Sequence, residues 1–72
     1  MALPLLSGTE VVRVLGRAGF TQTRQTGSHV SLTNGEGRVT IVPIHKEVAR
    51  GTLRSILRQA NLTETEFRAL MQ

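Results

Sequence analysis

The chain has 72 residues and no cysteine, so disulfides, thiolate metal sites and a thiol nucleophile are all excluded. Nine basic residues stand against five acidic ones, giving a formal charge of +4. Eight of the nine are arginine and all five acids are glutamate, which points to an anionic partner held by forked contacts. The length predicts one small domain, residues 1–72, with residues 1–6 as an N-terminal tail. Such a chain buries only about 60% of its unfolded surface, so the core is thin. No apolar run is long enough to span a bilayer, and Met1 to Leu6 lacks the basic leader and apolar length of a signal peptide. The expected location is cytoplasmic.

Ser7-Gly8-Thr9-Glu10 has the form of a capping box. A helix is expected from about Gly8 to Ala18, with Val11, Val12, Leu15 and Ala18 as its apolar stripe and Gly19 at its end. Phe20 to Gln25 reads as a weak strand, with Thr21 and Thr23 inward and Gln22 and Arg24 outward. After the Thr26-Gly27 turn, Ser28 to Thr33 alternates, placing Val30 and Leu32 on one face and His29, Ser31 and Thr33 on the other. Asn34-Gly35-Glu36-Gly37 is a hairpin connection. Arg38 to Pro43 is a third strand, with Val39 and Ile41 alternating against Arg38 and Thr40. Pro43 ends it, because it cannot donate to a ladder.

A second helix is expected from Arg50 or Gly51 to Ala60, with Leu53, Ile56, Leu57 and Ala60 toward the core. Arg50, Arg54 and Arg58 repeat on another face, either as a solvated surface or as a phosphate-tracking stripe. Asn61 suits a left-handed helix end, and Thr63-Glu64-Thr65-Glu66 is a second capping box for a short last helix to about Met71. Leu62, Phe67, Leu70 and Met71 would pack that helix onto the body. The order is α-β-β-β-α with a C-terminal helix. It predicts an α+β two-layer sandwich: a three-stranded antiparallel sheet with helices on one face. The other face, carrying Arg24, His29, Ser31 and Arg38, is expected to stay open.

The five glutamates read as caps, turn and loop residues rather than a catalytic pair. Two histidines without a carboxylate between them are a poor metal set, so neither a metal nor a cofactor is expected. His29 is the residue with chemistry. An exposed imidazole between Arg24 and Arg38 can move a proton near neutral pH while the arginines hold a phosphate. RNA carries its own nucleophile in the 2′-hydroxyl, so no metal is needed. His45, beside Lys46, can support His29, contact phosphate or be structural. The two aromatics, Phe20 and Phe67, both fit the core, which argues against a stacking platform for single-stranded bases. Recognition through shape, backbone and 2′-hydroxyl fits better.

Four separate segments resemble one family. Gly19-Phe20, Arg24 to His29, Val42-Pro43-Ile44-His45 and Gly51 to Leu57 are similar, in order and spacing, to the HicA toxins. The similarity runs from about Ser7 to Phe67. It implies a fold like the double-stranded RNA-binding domain, and a metal-independent endoribonuclease that cleaves mRNA. It also implies a HicB-type antitoxin that blocks the active site, so the toxin would be a monomer when free and part of a hetero-oligomer when inhibited. The family's catalytic histidine falls on His29, and its second histidine falls on His45. Arg24, Ser28, Arg38 and Lys46 are the candidate RNA contacts. The chain departs from the family at Thr21 and Thr23, where aliphatics are common, and at Gly37, which would loosen the turn. Two other readings stand beside this one: a non-catalytic RNA-binding module, and a protein-interaction role alone.

Overall fold

The computed structural model describes residues 3–72. Its elements are α1 (Gly8–Arg17), β1 (Thr21–Thr26), β2 (His29–Thr33), β3 (Val39–Pro43), α2 (Arg50–Ala60) and α3 (Glu64–Leu70). The strands form one antiparallel sheet in the order β1-β2-β3. The architecture is therefore α+β, with the expected order. α1 and α2 pack against the sheet, and α3 packs against both of them.

Local chemistry explains the helix boundaries. Ser7 accepts the Glu10 N–H at 3.1 Å while the Glu10 carboxylate accepts the Ser7 N–H at 2.9 Å. Thr63 and Glu66 repeat the pattern at 3.0 and 2.8 Å ahead of α3. Each box satisfies donors that a helix start leaves without partners. Asn61 ends α2 at φ 57°, in the left-handed region, as its short polar side chain allows.

The core is built from Val11, Val14 and Leu15 of α1, Val30 and Leu32 of β2, Val42 of β3, Leu53, Ile56, Leu57 and Ala60 of α2, and Phe67 of α3. Val14 replaces the expected Val12 and Ala18 as a fully buried stripe residue; those two are only half-buried at its edge. Leu3 and Leu6, from the segment read as a tail, are buried in the same core. That segment is pinned by a bridge between Leu6 and Val48 and by Arg50 Nε donating to Leu3 O at 2.6 Å.

Two strand assignments differ from the sequence reading. Every residue of β1 is exposed, so Thr21 and Thr23 are not inward. A bulge at Thr23 interrupts the register, which pairs Gln22 with Leu32 but Arg24 with Ser31. One extra residue turns the rest of the strand over, so Gln22 shares the helix side with Leu32 while Arg24 shares the open side with Ser31.

In β3 the faces are exchanged. Thr40 and Val42 are fully buried, whereas Val39 and Ile41 are 53% and 46% exposed. The cause lies in the preceding turn. Asn34 and Arg38 form the closing pair, with Asn34 N donating to Arg38 O at 3.2 Å. Three residues lie between them, and Gly37 adopts φ 80°. This matches the three-residue hairpin whose last position is left-handed. Gly37 thus fixes the turn rather than loosening it, and Thr33 is paired with Val39, one residue past the Arg38 that a connection of Asn34 to Gly37 would bring there. A one-residue shift moves every side chain to the other face.

Candidate active site on the open sheet face

The register lays out the open face in rows. Thr26, His29 and Pro43 form one row; Arg24, Ser31 and Ile41 form the next; Thr21, Thr33 and Val39 form the third. His29 lies in the central strand and is exposed. It is the first residue after the two-residue turn Gly27-Ser28, where Gly27 adopts φ 59°. That value at the first turn position is the type II′ pattern and explains why glycine precedes the pair Ser28-His29. The row order places Arg24 diagonal to His29, a separation of about 7–8 Å that a long side chain spans. Ser28 is exposed in the turn, and its carbonyl accepts the Ile44 N–H at 2.6 Å.

His45 and Lys46 are exposed in the segment that leaves β3 beside His29. This segment is held from outside the sheet. Gly8 N donates to His45 O at 2.9 Å. A Cβ on Gly8 would press on Pro43 O and come within 2.7 Å of Ile44 Cα, so only glycine lets α1 start there. The N-terminus of α1 therefore braces the backbone carrying His45.

Arg38 is not part of this face. It precedes Thr40 and Val42 in parity and turns toward the helices. Its Nε donates to Gln59 O at 3.0 Å and its guanidinium reaches Arg58 O at 3.4 Å. These are carbonyls at the C-terminus of α2, where a cation is favoured. The connection Asn34 to Gly37 expected from the sequence would set Arg38 opposite Thr33 on the open face, whereas the structure sets Val39 there.

The other cations sort in the same way. Arg17 donates to Leu70 O at 2.6 Å, Arg50 to Leu3 O, and Arg58 to Ser55 Oγ at 3.1 Å. Arg54 and Arg68 pair with Glu64 at 3.6 and 3.9 Å. The stripe Arg50-Arg54-Arg58 is thus engaged within the fold. The Glu10 carboxyl is held below its ordinary value by its hydrogen bonds with Ser7, with a smaller contribution from the charge of Arg13. Among the described cations Arg13, Arg24 and Lys46 make no hydrogen bond or ion pair, and of these Arg13 belongs to α1. Arg24 lies diagonal to His29 across the sheet, and Lys46 follows His45 in the segment past the end of β3.

Val39 and Ile41 are the residues of this face that the sequence reading placed inward. The signal that would have found them was Gly37, a glycine where a three-residue turn needs a left-handed position. Among the described residues no helix is long and apolar enough to cross a membrane.

A search of the curated proteins finds no match to this chain. The family model described as the HicA toxin of bacterial toxin–antitoxin systems matches residues 8–62, which span α1, the whole sheet and α2. With most of its length and the entire open face inside that match, the chain belongs to the HicA toxin family.

Proposed function

We propose that this toxin is a metal-independent endoribonuclease that cleaves mRNA in the cytoplasm, with His29 as a proton-transfer residue at the scissile bond. The observation that carries the reading is the company His29 keeps. It stands exposed in the central strand with Arg24 diagonal to it and Lys46 in the segment that leaves β3, and neither cation makes a hydrogen bond or ion pair within the fold. Such a grouping suits a phosphodiester: guanidinium and ammonium hold the anion while an imidazole gives or takes a proton. Ser28 and Ser31 offer hydroxyls on the same end of the face. No aromatic side chain is exposed there, which favours contacts to phosphate and 2′-hydroxyl over base stacking.

The antitoxin of the pair is read as a HicB-type protein that covers this face. Val39 and Ile41 support that reading. They are exposed aliphatics on the same face, Ile41 in the row next to His29 and Val39 one row further, and exposed apolar side chains grouped on one face suit a protein partner.

The test is growth after induced expression of wild type and His29→Ala, with total RNA followed in parallel. Arrest and RNA decay with wild type alone are expected, with both proteins folded, since His29 lies outside the core. Equal arrest from both proteins would overturn the role of His29 and favour a binding module.

A further inference from the structure

Cleavage of RNA by its own 2′-hydroxyl requires two proton transfers. One group takes the proton from the attacking 2′-oxygen, and another gives a proton to the departing 5′-oxygen. One imidazole cannot do both in a single concerted step. The face around His29 must therefore carry a second titratable group.

The glutamates do not provide one. Glu10 and Glu66 are locked in capping boxes and Glu64 is paired with two arginines. Glu36 sits at the far hairpin, at the opposite end of the strands from His29. Glu47 lies in the bend that leads to Val48, whose backbone is bridged to Leu6 and not to the sheet. His45 remains, and the backbone says where it lies. The ladder continues one bond past Pro43, through Ile44 N donating to Ser28 O. Ile44 is half-buried against the core and shares a depression on the helix side with Val30 and Gln25. In an extended chain successive side chains take opposite faces, so His45 falls on the face of Pro43 and Ile41. Pro43 is directly opposite His29. His45 is then diagonal to His29, about 7–8 Å away by sheet geometry, a span that lets two imidazoles approach one phosphate from two sides. Both rings are exposed, and Gly8 fixes the His45 carbonyl from behind.

We propose that His45 is the second proton-transfer residue, acting across the scissile phosphate from His29. The proposal rests on the ribonuclease reading given above. One imidazole, neutral, accepts the 2′-hydroxyl proton as the 2′-oxygen bonds to phosphorus. The other, protonated, donates to the 5′-oxygen as the P–O5′ bond breaks. The products are a 2′,3′-cyclic phosphate and a 5′-hydroxyl. No water and no external reagent is consumed, and the two histidines end with their protons exchanged.

The experiment uses the full chain and an oligoribonucleotide containing a bond that wild type cleaves, made with either ordinary oxygen or sulfur at the bridging 5′ position. Sulfur is a good leaving group and needs no proton. On the oxygen substrate, His45→Ala and His45→Gln are expected to slow single-turnover cleavage about 100-fold or more. Their melting temperatures should match wild type. On the sulfur substrate, one of His29→Ala and His45→Ala should recover and the other should not. That asymmetry is what a division into acid and base produces, and a structural role for His45 would not. Cleavage of the oxygen substrate by His45→Ala within about 3-fold of wild type overturns the proposal and leaves the ribonuclease reading intact. Failure of sulfur to rescue either variant, or rescue of both, overturns it as well. If wild type cleaves no RNA, the ribonuclease reading falls and the proposal with it.

Discussion

Thr40, fully buried in β3, donates its hydroxyl to Gln59 Oε1 of α2 at 2.8 Å, and the same oxygen accepts the Ile41 N–H at 3.3 Å. One amide oxygen thus satisfies a buried side chain and an edge-strand donor together. It also explains how a threonine can occupy a core position. Gln59→Ala leaves the Thr40 hydroxyl with only the longer contact to Ile56 O at 3.4 Å. The expected cost is about 1–2 kcal/mol, read by urea unfolding. Thr40→Val removes donor and desolvation cost together and should cost less than Gln59→Ala. The reverse order would show that the hydrogen bond is not what stabilises this position.

Arg24 and Arg38 are both exposed arginines near the sheet, yet they should behave oppositely. Arg24→Ala is expected to leave stability within about 0.5 kcal/mol of wild type. It should weaken RNA binding and lower the salt slope of that binding by about 1. Arg38→Ala removes the contacts to Arg58 O and Gln59 O and should cost about 0.5–1 kcal/mol, with RNA binding at fixed salt little changed. Denaturant unfolding and filter binding over a range of salt separate the two. An Arg38 variant with the larger binding defect would place it back on the open face.

Gly8→Ala should be among the most damaging single-methyl changes in the chain. The new Cβ meets backbone at Pro43 and Ile44, which cannot rotate away as a side chain would. A loss of about 3 kcal/mol is expected from the forced shift of α1 against β3. Gly51→Ala is the control, because a Cβ there meets nothing within 4 Å. It should be neutral or slightly stabilising in melting experiments, as alanine is the better helix former.

The carboxyl of Glu10 is held below its ordinary value of 4.5 by the Ser7 backbone N–H first, then the Ser7 side chain, with Arg13 adding to the effect. A depressed carboxyl pKa contributes stability that is fully present above the ordinary value. The contribution is lost as pH falls through the folded-state value. Melting temperature measured against pH should therefore show wild type ahead of Glu10→Gln near neutrality, with the gap closing in acid below pH 4.5. A gap that stays constant into acid would mean that the carboxylate charge does not contribute to the cap.

The sequence by itself determined the parts governed by short-range chemistry. Both capping boxes, the left-handed Asn61, the α2 stripe of Leu53, Ile56, Leu57 and Ala60, and the inward Val30 and Leu32 are set by residues within a few positions of one another. Because β2 was read in the correct phase, the exposure of His29 was legible too. Tertiary structure decided which faces the flanking strands present. β1 carries no aliphatic side chain to reveal its phase, and the bulge at Thr23 changes that phase midway. In β3 both phases offer apolar residues, Val39 with Ile41 or Thr40 with Val42. The choice was made by the three-residue turn at Gly37 and by Gln59, which arrives from α2 to satisfy the buried hydroxyl. Those two features send Arg38 to the end of a helix and bring Ile41 beside Ser31, because in a strand a shift of one residue exchanges the two faces.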